Sequence, residues 1–189
     1  AFWRYYWKAT TIYHVQSPFA FDVANIVLRD RRWYYAFDYL ATKFRNFDHD
    51  FGRQLFRLML MLPPKQYFFI TQNEAVVEYH TAAHAAKALI QKSLQVFNSE
   101  IAKPPLGHLY LDLGSEKLAQ SFLPLAETAV VIVRYPHLQS ENWQFLQGEP
   151  SISLTMDFYT FGLAFKRPDL SQKQHFVLID WKKKPWLIG

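Results

Sequence analysis

Between positions 63 and 80 the chain reads PPKQYFFITQNEAVVEYH. An apolar run from Tyr67 to Ile70 meets a short polar turn of Thr71, Gln72 and Asn73, and a helix-forming stretch begins at Glu74. A buried strand passing into a helix through so short a turn is the opening of a nucleotide-type α/β fold. Where such a turn seats a cofactor it is rich in glycine, because backbone must approach the ligand with no Cβ in the way. Here no glycine stands between Gly52 and Gly107. The pattern keeps the architecture and fills the cofactor seat.

The rest of the chain extends the same reading. Residues 1–16 are an aromatic and basic lead-in. Ser17-Pro18 starts a helix that runs to about Arg29, with Pro18 in its first turn. Tyr34–Phe44 suits a second helix. FGRQLFRLMLML (51–62) is amphipathic, with Leu55, Leu58, Met59 and Leu62 on one face, and stops at Pro63-Pro64. Strands are expected at 66–71, 108–114 and 128–136, with helices at 74–92, 116–123 and 140–147. Segments 151–167 and 175–181 alternate in hydropathy and read as an antiparallel pair. The order implies a mainly parallel sheet covered on both faces, with antiparallel strands at one edge. It divides into an N-terminal helical extension (1–50) and an α/β domain (51–189).

Composition narrows the function. Half of the 189 residues are hydrophobic, which excludes general disorder. No apolar run reaches the roughly 18 residues needed to span a bilayer, and the aromatic, basic start lacks the features of a signal peptide. With no cysteine there are no disulfides, thiolate metal sites or cysteine nucleophiles. A cytoplasmic location is the simplest expectation. Net charge is +5, which permits an acidic partner. Aromatics make up 18% of the chain and glycines number six, a balance that suits a bulky core or a contact surface more than tight cofactor loops.

Three stretches carry a family resemblance: HVQSPFAFDVANIVLRDRRWYYAFDYL, FGRQLFRLM, and TMDFYTFGLAFKR followed by HFVLI. They resemble a bacterial, Bacteroidetes-type group within the class I S-adenosylmethionine-dependent methyltransferase-like proteins. The resemblance covers most of the chain and is specific at both ends. It implies a Rossmann-like three-layer sandwich with a C-terminal antiparallel hairpin, shortened in the middle. It also implies a cofactor loop of the form E-L-G-T-x-x-G, where this chain has FITQNEAV. The family's ribose-binding acid has no counterpart here, Glu100 being the only nearby carboxylate. The hydrophobic-D-G signature is kept as YLDLG, with Asp112. The acidic pair that holds a divalent cation in metal-dependent relatives is replaced by Arg134 and Tyr135. Three degraded elements together imply a non-catalytic relative, with no cofactor and no metal. In an active enzyme, S-adenosylmethionine would be lined by Thr71, Asn73 and Asp112.

Other constellations are read conservatively. His80 and His84 share a helix face, but HTAAH lacks the acid of a metalloprotease pair, so two partly exposed histidines are expected. His14, Ser17 and Asp22 contain triad residue types, but Ser17 reads as a helix cap. Arg4, Trp7, Lys8, Arg31, Arg32 and Trp33 form a candidate partner surface of interleaved cations and aromatics. A protein partner or a second copy of the chain is the first expectation for it, and RNA the weaker one. The reading as a whole is a methyltransferase-like binding or scaffold protein, with active methyl transfer as the alternative.

Overall fold

Ser17 caps the first long helix as its sequence requires. Its Oγ accepts from the Ala20 N–H at 3.4 Å, and α2 runs Pro18–Arg29 with Val23, Ala24 and Val27 buried. Asp48 does the same for α4 (His49–Met61), accepting from the Phe51 N–H at 3.1 Å. Helix α4 buries Leu55, Leu58 and Met59, and α2 packs along it. The lead-in also forms a helix, α1 (Phe2–Lys8), and α3 spans Ala36–Lys43. Our computed structural model describes residues 2–62, 67–70, 73–85, 107–111, 129–167, 170 and 172–184. The expected helix at 116–123 and the connection before Gly107 lie outside them.

The remaining elements are β1 (Tyr67–Ile70), α5 (Glu74–Ala85), β2 (Gly107–Leu111), β3 (Ala129–Arg134), α6 (Ser140–Gly148), β4 (Leu154–Asp157), β5 (Phe161–Phe165) and β6 (Gln174–Val177). The six strands form one sheet in the order β1-β2-β3-β5-β4-β6. Neighbours β1–β2, β2–β3 and β4–β6 are parallel, whereas β5 is antiparallel to both β3 and β4.

This mixed sheet overturns the expected Rossmann-like methyltransferase sheet, mainly parallel with an antiparallel pair at its edge. The physical reason lies in 151–167, read above as one arm of a pair. The chain doubles back within it at 158–160, where the Phe158 N–H donates to the Phe161 carbonyl at 3.0 Å and Tyr159 takes a left-handed φ of 71°. The segment is therefore a hairpin in itself. Strand β5 is inserted between β3 and β4, and β6 adds in parallel on β4, with Leu154 opposite Gln174.

Strand pleat sorts the core into two faces. Ile132, Leu154, Met156, Phe161, Leu163 and Phe165 join Val23, Val27, Phe37, Leu55, Leu58 and Tyr79 in one cluster. The helices before residue 50 thus share their core with the sheet. The opposite face carries Val131, Val133, Thr155 and Gly162, with α6 above it. A Cβ on Gly162 would lie 2.6 Å from the Trp143 ring of α6. Gly52 has the same role between α4 and α5, where a Cβ would meet the Tyr79 ring at 2.6 Å. Both glycines permit close packing.

Candidate binding cleft

Strands β3, β4 and β6 point the same way, and the chain leaves β4 and β6 at the edge where ligands of open α/β sheets bind. There, Phe158, Tyr159 and Thr160 after β4, and Leu178, Ile179 and Asp180 after β6, floor a cleft of about 510 Å³. The N-terminal half of α4 forms one wall and Phe2 and Tyr5 of α1 form another. Helix α1 is tied down along its inner side. Tyr5 OH donates to the Leu178 carbonyl, Tyr6 OH donates to the Lys183 carbonyl at 3.1 Å, and Lys184 Nζ donates to the Ala9 carbonyl at 2.8 Å. Thr10 then bridges to Leu178 beside β6.

Aromatic rings hold the floor. Tyr159 stacks on His137 at 4.2 Å and receives Tyr5 and Phe2 at 5.0 and 5.2 Å. Its N–H donates to Asp157 Oδ1 at 2.7 Å. Burial of Asp157 at the end of β4 pushes its pKa up to about 6, against the pull of that hydrogen bond. Burial also drives the Tyr5 hydroxyl well above its usual range, with the Asp157 charge adding to the effect.

The cleft is lined by Arg31, Arg53, Arg57 and Lys183, and each lining carboxylate is held by a guanidinium. Asp180 pairs with Arg31 at 3.2 Å, Asp50 with Arg53 at 3.3 Å, and Asp48 with Arg134 at 3.2 Å. Arg57 is buried, donates to the Arg32 carbonyl at 2.7 and 3.2 Å, and lies 3.8 Å from Asp30. Burial lowers the pKa of Arg57. Arg53 stacks over Trp33 at 4.6 Å, and its buried Nε has no hydrogen-bond partner among the described residues.

Of the predicted cofactor residues, Asn73 alone is among those described. Asn73 is exposed and serves α5, its Oδ1 accepting from the Ala75 N–H at 3.1 Å. Thr71, Asp112 and Glu100 lie outside the described residues. Arg134 is buried between Phe51 and Tyr135 at 3.7 and 4.4 Å. His80 is buried rather than partly exposed, which corrects the expectation for that histidine. Ser17 is the helix cap that its sequence indicates, and His14 contacts Thr11. Among the described residues no cluster of three or more His, Asp or Glu could hold a metal, and no helix is long and apolar enough to cross a membrane.

The expected partner surface divides into two. Arg31 and Trp33 line the cleft, whereas Arg4, Trp7 and Lys8 stand exposed on the outer side of α1. Arg32 is fastened to Asp30, whose pKa its hydrogen bonds lower. Sequence reasoning missed Arg53 and Arg57, although their i, i+4 spacing on a helix otherwise read for its apolar stripe was the available signal. It also missed Tyr159, because a left-handed tyrosine leaves no trace in composition. Comparison with family models, curated proteins and solved structures finds no match for the chain.

Proposed function

We propose that the chain is a non-catalytic binding protein whose cleft receives a segment of a partner protein. The observation that carries this is the convergence of Arg31, Arg53 and Trp33 on a cleft floored by Tyr159 and walled by Phe2 and Tyr5. Arginine, tyrosine and tryptophan dominate the energetics of protein interfaces, because each offers a large contact area together with a polar handle. No histidine, serine or cysteine lines the cleft among the described residues, and its carboxylates are already engaged by guanidinium groups. That lining supports recognition over acid–base or nucleophilic chemistry. Affinity capture with the wild-type chain, set against Trp33→Ala and Arg53→Ala, tests the proposal. A partner retained by the wild type and lost with both variants is the expected result, and retention by both variants overturns it.

A second reading is S-adenosylmethionine-dependent methyl transfer by the same chain. It is favoured by the position of the cleft at the carboxyl ends of β4 and β6. Calorimetric titration with S-adenosylmethionine and S-adenosylhomocysteine separates the two readings. A micromolar dissociation constant, about −8 kcal/mol, would replace the first reading with the second.

A further inference from the structure

The outer side of α1 carries chemistry that the cleft does not use. Along the helix, Trp3 and Trp7 fall on one side, four residues apart, with Arg4 and Lys8 beside them. Phe2, Tyr5 and Tyr6 take the opposite side and meet the fold. Trp3 is 70% exposed and Trp7 is 76% exposed. Lys182 is also exposed, in the turn tied to α1 through Tyr6. Among the described residues, Arg4, Lys8 and Lys182 have no acidic partner within ion-pair reach. The first acidic residue of the chain is Asp22. The face is therefore aromatic and cationic, and residues 1–21 carry no acidic side chain.

We propose that this face docks on an anionic lipid surface. Indole rings prefer the boundary between headgroups and acyl chains, and lysine and arginine beside them meet anionic headgroups. A single-stranded nucleic acid is held in a groove whose walls cover its bases, whereas these two indoles project from the surface. A free seven-residue helix would lose most of its binding energy to ordering, but here the fold fixes α1 in advance. The proposal is independent of the cleft, which lies on the inner side of the same helix.

Co-sedimentation of the full chain with phosphatidylcholine vesicles, with and without phosphatidylserine, tests this, with tryptophan emission as a second readout. The expected result is binding to the phosphatidylserine vesicles alone, a blue-shifted emission, and release by salt. Trp3→Ala with Trp7→Ala should weaken binding about tenfold or more, and Arg4→Glu with Lys8→Glu should abolish it. These side chains are exposed, so circular dichroism should show the variants folded. Trp33→Ala should bind vesicles as the wild type does. No binding to phosphatidylserine vesicles overturns the proposal, as does equal binding by the double tryptophan variant. Binding of single-stranded RNA through Trp3 and Trp7 without vesicle binding would also overturn it.

Discussion

Arg31 of the cleft and the cations on the outer side of α1 have similar sequence surroundings, interleaved with tryptophan and tyrosine, yet the fold uses them differently. In the cleft Arg31, Arg53 and Arg57 are paired with carboxylates or a carbonyl, and Arg53 and Arg57 also lie against aromatic rings. On α1, Arg4 and Lys8 are exposed. A guanidinium that is paired and stacked is held in one geometry, and its removal leaves other groups unsatisfied. An exposed cation on a short helix costs the fold little to keep or lose. Interleaved charge and aromatic content thus does not distinguish an arginine that the fold holds in place from a cation with no acidic neighbour; the carboxylates near it in space do.

The sharpest test of the contrast is Arg57→Ala. It removes two hydrogen bonds to the Arg32 carbonyl and the ion neighbour of Asp30, and empties space beside Phe37. Denaturant unfolding should show a loss of about 3 to 4 kcal/mol. Arg57→Met, which keeps the apolar stem, should recover part of it. Loss of under about 0.5 kcal/mol, the range of ordinary surface positions, would remove the distinction drawn here. Next in size is Gly52→Ala, one residue before Arg53 on the same helix. The added Cβ would run into the Tyr79 ring, which is fully buried and bonded to His49 at 2.9 Å. Thermal and denaturant unfolding should report a loss of about 2 to 3 kcal/mol, since α4 must move off α5.

Local signals were legible where they are local in their physics. Ser17-Pro18 and the apolar stripe of 51–62 define α2 and α4, because capping and periodicity act within a few residues. The start of α5 at Glu74 was legible too, and Asn73 before it proves to serve the helix. Strand direction was not, because the alternation of 151–167 is the same for one long strand as for two short ones. What decides is a turn at Phe158–Thr160 that contains no glycine, in which the Asp157 carboxylate accepts from the Tyr159 N–H and Tyr159, in a left-handed backbone conformation, packs between His137 and Tyr5. The cleft was hidden for a related reason. Its cations come from three separate stretches, around 31, 53–57 and 183, and only the fold brings them together.

Asp157 extends the comparison to an acid. The carboxylates lining the cleft each have a guanidinium partner, whereas Asp157 has a backbone N–H and no ion pair among the described residues. Its folded pKa of about 6 lies above the ordinary 3.8, so the native state binds this proton more tightly than the unfolded chain does. The stabilising contribution is therefore complete below pH 3.8 and is lost as the pH rises through about 6. Asp157→Asn keeps an oxygen for the Tyr159 N–H and removes the titration. Measured against that variant, the wild type should lose about 3 kcal/mol across this window. A difference that stays flat with pH would show that the carboxyl is as well solvated in the fold as outside it.

The smallest expected effect closes the contrast from the other side. Arg4→Ala and Lys8→Ala should each change unfolding free energy by less than about 0.5 kcal/mol, because neither side chain is buried and neither has an acidic partner within ion-pair reach among the described residues. Together they remove two of the five net positive charges of the chain, so their effect should appear in association with anionic surfaces and in its salt dependence. Measuring stability and vesicle binding on the same two proteins separates the roles. A large stability loss would mean that the outer side of α1 is part of the structural charge network after all. Unchanged stability with weakened binding would place these cations on the recognition side of the comparison, opposite Arg57.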